Sequence, residues 1–212
     1  MWEGFLNLSQ EPIMIPEHFV KLQDYGFKCS NYYTGEGGRR IGITTAHLQA
    51  LGFVDDSMYV HPALIEDLKN VEADLLEQGY GIVIKDAFRP VALIKLIVSL
   101  RKAQQLPVAS LFNTETMPHS TGLAIDAVLT DQKTGTEMRM RNGAHGVEAC
   151  KVNFYRHSIK PDEMEMHRLQ RILVDTCCGR GFTLGAKMEY WHFDHSSLND
   201  LSTRYWEQAA EW

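Results

Sequence analysis

The chain has 212 residues, of which 44% are hydrophobic and 23% charged, and its formal net charge at pH 7 is −6. This length and composition predict a single globular domain over residues 1–212, with enough apolar residues to bury a core. The acidic balance argues against a nucleic-acid or anionic-membrane binder, because such proteins need a basic surface to neutralise phosphates. No signal-peptide pattern and no run of ~20 apolar residues is present, so a soluble, cytoplasmic protein is expected, with a periplasmic location left open if a signal segment has been removed.

The first half of the chain predicts two helices around one strand. Apolar residues recur at helical spacing over residues 62–78, and Gly79 follows as a stop. Residues 81–85 have the apolar run of a short buried strand. Helical periodicity then returns over residues 91–105, and Pro107 prevents the helix from continuing.

The second half predicts two further strands and two further helices, joined by a long polar segment. Residues 123–129 alternate as a strand does, and residues 190–193 have the aromatic composition of another. The pattern as a whole predicts an α+β fold with a small, mostly antiparallel central sheet flanked by helices. The remaining predictions are a loop or lid at 131–160, a helix at 162–178 and a closing helix at 198–212.

Two of the ionisable residues lie in sequence where chance polar residues are rare. Asp126 stands in the middle of an apolar strand, and His192 stands between Trp191 and Phe193. Burying an unpaired carboxylate costs several kcal/mol, so Asp126 needs a metal ion, an arginine or several hydrogen bonds. One metal ion would satisfy both residues.

His119 completes a set of two imidazoles and one carboxylate with Asp126 and His192. Three such protein ligands leave a fourth position for water, as in an open catalytic zinc site, so one Zn²⁺ per chain is expected. Glu189, three residues before His192, is then more useful as a general base than as a ligand. A structural site with His195 as fourth ligand is the alternative, but such a site would gain nothing from Glu189.

Arg89 follows the predicted strand at 81–85, at a junction that faces a cleft in many folds. Its guanidinium is suited to hold an oxyanion or a substrate carboxylate in bidentate fashion. The alternative is a structural salt bridge with Asp86, three residues earlier.

These segments together resemble a known family. HxxxxxxD over residues 119–126 and ExWH over 189–192 are similar to the zinc D-Ala-D-Ala peptidases, whose fold is shared with the hedgehog signalling domain. DAFRP at 86–90 and NYYTG at 31–35 resemble, more narrowly, the D-alanyl-D-alanine dipeptidases of the vancomycin-resistance type. The resemblance implies that the substrate is D-Ala-D-Ala, a small D-amino-acid peptide. It also implies zinc on the three ligands named above, Glu189 as catalytic base and Arg89 as transition-state stabiliser.

The chain departs from those dipeptidases at positions that contact substrate. Met117 stands where they have a serine, and Phe27 stands where they have a tyrosine. Their Phe-Asp pair, whose acid holds the substrate amine, has no counterpart in residues 139–150, where Glu148 is the acid available. Met117, Phe27 and Glu148 are therefore the candidate substrate-binding residues.

Three functions stay open at this point. The first is a zinc D-alanyl-D-alanine dipeptidase that uses a metal-activated water. The second is a D,D- or L,D-carboxypeptidase acting on peptidoglycan stem peptides, and the third is a non-catalytic, hedgehog-like zinc-binding module. The sequence leaves the oligomeric state open.

Overall fold

A computed structural model describes residues 15–53, 55–106, 117–185 and 188–198. Within these ranges no helix combines the length and the apolar character needed to cross a membrane. The strands are β1 (Val20–Lys21), β2 (Tyr59–Val60), β3 (Tyr80–Asp86), β4 (Ala124–Asp131), β5 (Phe182–Leu184) and β6 (His192–His195). The α-helices are α1 (Glu36–Arg40), α2 (Thr45–Ala50), α3 (Leu64–Glu77), α4 (Val91–Ala103) and α5 (Pro161–Cys178).

The main sheet has four strands in the order β3-β4-β6-β5, and all neighbouring strands are antiparallel. β1 and β2 form a separate two-stranded pair. The α+β class with a small antiparallel sheet and flanking helices, predicted from the sequence, is confirmed.

One face of this sheet carries the core. Residues 125, 127 and 129 of β4 are fully buried and belong to a cluster that includes apolar side chains of α3 and α5. Successive side chains of a strand point to opposite faces, so Asp126 projects from the other face. The side chains of Asp126 and Val128 on that face are only partly buried. The helices α3 and α5 thus pack on one face, while Asp126 and Val128 on the other face keep partial exposure.

The predicted helices and strands of 62–105 and 123–178 are all present, with ends that differ by one or two residues. The strand predicted at 190–193 is shifted, because the chain first makes a turn in which His192 N–H donates to the Glu189 carbonyl at 3.2 Å. β6 therefore begins at His192. The helix predicted at 198–212 lies outside the described residues, apart from residue 198.

The segment predicted as a loop or lid at 131–160 contains regular structure near its middle. Residues Gly143–Cys150 form 3₁₀ turns that are interrupted at Gly146. Directly after them, Lys151 bridges to Glu189, and Val152 N–H donates to the Met188 carbonyl at 3.0 Å. These contacts hold the segment against the residues that lead into β6.

Short elements near the start of the chain were not predicted. α1 begins directly after its N-cap residue Gly35, within a glycine-containing stretch at 35–38. Gly38 is required there because a Cβ atom would lie 1.9 Å from the Tyr33 carbonyl oxygen. Helices and strands of two to six residues bury too few side chains to produce a periodic pattern.

Candidate metal centre

The antiparallel register of the sheet brings two of the candidate ligands together. Asp126 of β4 lies opposite His192 of β6, and Asp86 of β3 lies opposite Asp126 on the other side. His119 comes from a 3₁₀ turn, Pro118–Thr121, just before β4. The His119 carbonyl accepts a hydrogen bond from the backbone N–H of Arg89 at 3.0 Å, and this bond ties the turn to the end of β3.

Three ligand atoms meet at this point. His192 Nδ1 lies 2.8 Å from Asp126 Oδ1 and 3.0 Å from His119 Nε2. His119 Nε2 lies 3.2 Å from Asp126 Oδ1. No other group of three or more histidine, cysteine or acidic residues in the described part of the chain is arranged to hold a metal ion.

The size of this triangle fits a small divalent cation. Ligands at the ~2.0–2.1 Å typical of zinc lie about 3.3 Å from one another in a tetrahedral arrangement. The observed separations of 2.8 to 3.2 Å lie slightly below that value. Three protein ligands leave a fourth position, and the side chains of His192 and Asp126 are 15% and 21% exposed, so the centre is not fully enclosed.

The second nitrogen of each histidine also has a partner. His119 Nδ1 lies 2.8 Å from the Ala87 carbonyl, which can only accept, so Nδ1 carries the proton and Nε2 is left as ligand. His192 Nε2 lies 3.1 Å from Asp194 Oδ1. Partners of this kind are common behind metal-bound histidines, because they fix the ring and its tautomer.

Without a metal ion, protons compensate the charge of the cluster. Burial alone would raise the pKa of Asp126, but His119 and His192 outweigh it and lower that pKa well below the ordinary value. Burial likewise lowers the pKa of His192, but hydrogen bonds to Asp126 and Asp194 raise it to about 10. The metal-free centre therefore holds an imidazolium at neutral pH.

Zinc binding to the metal-free protein is expected to release about one proton per ion at pH 7, because His192 must lose its proton to become a ligand. The raised pKa of His192 sets the direction of the pH dependence. His192 is mostly protonated below about pH 10, so the apparent zinc affinity should rise with pH up to that value. Isothermal titration calorimetry in buffers of different ionisation enthalpy measures the released protons. Zinc uptake with no proton release, and an affinity independent of pH between 6 and 9, would contradict this.

Arg89 is buried beside the three ligands. It forms the salt bridge with Asp86 that was considered above as its alternative role. Its Nε donates to Asp86 Oδ2 at 2.9 Å, and Nη2 donates to the same oxygen. The guanidinium carbon lies 5.1 Å from the ring centroid of Tyr33. Burial opposes the charge of Arg89, but Asp86, Tyr33 and Asp126 raise its pKa further, so the group stays cationic. The salt bridge thus holds Arg89 close enough to Asp126 for their charges to interact.

Glu189 lies at the entrance to β6, partly buried, and precedes His192 by one tight turn. The bridge to Lys151 anchors its backbone from the other side. The carboxylate of Glu189 is thus attached to a short, hydrogen-bonded segment that also carries a ligand.

The three candidate substrate-binding residues are placed differently. Phe27 is only 3% exposed and packs in the main core. Met117, with the positive φ of 34°, precedes the turn that carries His119. Glu148 is exposed and forms an ion pair with Lys151 at 2.8 Å. The structure brings Met117 next to the metal-binding turn and leaves Phe27 within the core.

His195 does not join the metal ligands. Its Nε2 lies 2.9 Å from Asp67 Oδ2 of α3, and its side chain is buried against Phe182. The alternative of a four-ligand structural site with His195 is therefore not supported.

Sequence reasoning missed Tyr33 and Asp194 as neighbours of the centre, and treated Asp86 only as an alternative partner for Arg89. Asp194 had a usable signal, since it stands two residues after His192 in a strand and so faces the same side. Local spacing gave no signal for the position of Tyr33 over Arg89, because this contact depends on the packing of a distant segment.

The chain was compared with known proteins. A scan against protein-family models finds no match, and a search of the curated proteins finds none either. Among solved structures, a vancomycin resistance D,D-pentapeptidase, VanY from a VanB-type resistance cassette, is similar at 15% sequence identity and a TM-score of 0.35. That structure is a mutant in complex with Zn(II), and the match covers 73% of this chain and 82% of the other. At such low similarity we infer function from the site itself.

Proposed function

We propose that the chain is a zinc peptidase that hydrolyses the dipeptide D-Ala-D-Ala. The observation that carries this is the convergence of His119 Nε2, Asp126 Oδ1 and His192 Nδ1 within 3.2 Å of one another. The residue types are those of an open zinc site, and Asp126 and His192 keep partial exposure to solvent. The preference for D-Ala-D-Ala comes from the resemblance of the DAFRP and NYYTG segments.

When bound, the zinc ion supplies a Lewis acid that acidifies water and polarises a peptide carbonyl. Glu189 takes the proton of the attacking water on its carboxylate and returns it to the leaving amine. Arg89 stabilises the negative charge that develops on the carbonyl oxygen, because its guanidinium is always charged and is buried beside the site. Asp86 and Tyr33 keep that guanidinium in place.

A non-catalytic zinc-binding module explains less of what is observed. Structural zinc sites are closed by four protein ligands, whereas three ligands meet here and His195 is engaged elsewhere. Such a module also has no need of a buried arginine next to the metal.

A carboxypeptidase acting on peptidoglycan stem peptides is the second candidate. It is favoured because Glu148 is exposed and already ion-paired. A dipeptidase must bind the free amine of its substrate, and an unpaired buried ammonium costs several kcal/mol. Glu148 is more than half exposed and already pairs with Lys151. If no carboxylate holds the amine, longer or N-acylated peptides are accepted.

Kinetics on D-Ala-D-Ala and on its N-acetyl derivative decide between these functions. The dipeptidase predicts preference for the free dipeptide, and Glu148→Gln should then raise KM far more than it lowers kcat. The matched control is Glu137→Gln, since Glu137 is also half exposed and ion-paired, with Lys85 at 2.8 Å. Preference for the acetylated peptide would replace the dipeptidase by a carboxypeptidase. A zinc-loaded protein that cleaves neither these peptides nor stem peptides would overturn the peptidase proposal.

A further inference from the structure

His192 is held on the side of its ring that faces away from the other ligands. Asp194 follows it by two residues in β6, so both side chains project from the same face of the sheet. Asp194 Oδ1 lies 3.1 Å from His192 Nε2. This oxygen is buried and makes no hydrogen bond of regular geometry with any described residue, so its contact with His192 is an ion pair. A buried carboxylate oxygen requires a donor, and the His192 ring is the donor at hand.

Gly185 leaves the space that the ring occupies. A Cβ atom at this position would lie 2.2 Å from His192 Cδ2 and 2.8 Å from Nε2. It would also lie 3.5 Å from Asp194 Oδ2. The backbone is tied to the same residue, since Gly185 N–H donates to the His192 carbonyl at 3.3 Å. Any larger residue would therefore push the imidazole out of its position.

From these contacts we infer that Asp194 and Gly185 are positioning residues for the metal ligand His192, which rests on the zinc site proposed above. Asp194 accepts the Nε2 proton and so fixes the tautomer in which Nδ1 presents its lone pair to the metal. Gly185 permits the one ring orientation in which Nδ1 lies beside Asp126 and His119.

The two histidine ligands differ in this respect. His119 donates to a neutral backbone carbonyl, whereas His192 faces a carboxylate. A negative partner makes an imidazole more basic and a stronger donor to the metal. His192 is thus the ligand whose strength depends on a side chain that mutation can change.

The test measures zinc affinity by competition with a chromophoric chelator in Asp194→Asn and Asp194→Ala. Asparagine keeps an acceptor oxygen but loses the charge, whereas alanine loses both. We expect the zinc dissociation constant to rise ~10–100-fold for alanine, the range typical of such partners, and by less for asparagine. The visible spectrum of the Co²⁺-substituted protein should also change in these variants, since this spectrum reports the ligand geometry.

The matched control is Asp67→Asn, because Asp67 pairs with His195 of the same strand at 2.9 Å but lies apart from the metal ligands. We expect it to leave zinc affinity within two-fold of the parent chain. For the glycine, Gly185→Ala should weaken zinc binding, whereas Gly143→Ala should not, because a Cβ atom there meets nothing within 4 Å.

Zinc affinities of both Asp194 variants within two-fold of the parent chain, with an unchanged Co²⁺ spectrum, would overturn the inference. The asparagine variant keeps the test decisive if the alanine variant does not fold. Because the readouts are binding and spectroscopy, they are independent of peptidase activity. A parent chain that binds zinc but cleaves no peptide would overturn the proposed function alone.

Discussion

Replacement of Glu189 by glutamine is expected to lower kcat by ~10²–10⁴-fold, the usual contribution of a general acid–base group. Glutamine has nearly the same shape as glutamate but cannot accept the proton of the attacking water or return it to the leaving amine. The zinc content should stay at one ion per chain, because Glu189 is not among the three ligand atoms that converge. Steady-state kinetics and metal analysis of the same preparation measure both quantities.

The control for this variant is Glu165→Gln, since Glu165 lies on the surface and pairs with Arg168 at 2.7 Å. That change is expected to leave kcat unaffected. Turnover close to that of the parent chain in Glu189→Gln would show that another group moves the proton, and Glu189 would lose its assigned role.

Loss of either histidine ligand is expected to abolish both tight zinc binding and activity. In His192→Ala or His119→Ala, two protein ligands remain, too few for a stable zinc site. The parent chain should also be more stable with zinc, by about 2.7 kcal/mol in free energy of unfolding when free zinc is 100 times its dissociation constant. The variants should show no such increase in thermal or urea unfolding experiments.

A histidine outside the centre serves as the matched control. His145 lies 3.0 Å from Glu163 and contacts no metal ligand, so His145→Ala should retain one zinc ion and the zinc-dependent stability. One equivalent of zinc retained in the double variant His119→Ala, His192→Ala would refute the assignment of the ligands.

Local patterns in the sequence were enough to predict the longer elements. α3 and α5 were predicted from helical periodicity, and β4 from its alternation. This works because each of these elements buries one complete face, so its side-chain pattern repeats with the period of the backbone. The same local reasoning selected Asp126 and His192, since a carboxylate or imidazole within apolar sequence requires a partner.

Contacts between segments far apart in the chain were decided by the tertiary structure. Asp126 and His192 are separated by 66 positions and meet only because β4 and β6 pair in the register that places them opposite each other. Periodicity defines which face of a strand is buried, but it does not define which strand lies beside it or in what register.

The surroundings of the centre depended on the fold in the same way. The sequence predicted the ligand types and their chemistry, because these follow from residue identity and from the cost of burying charge. Asp86 and Asp194 lie three and two positions from Arg89 and His192, so local spacing could indicate these neighbours. Only the folded chain placed Tyr33 over Arg89 and Gly185 against His192, because such contacts arise from the packing of several segments in three dimensions and no local pattern of residues encodes them.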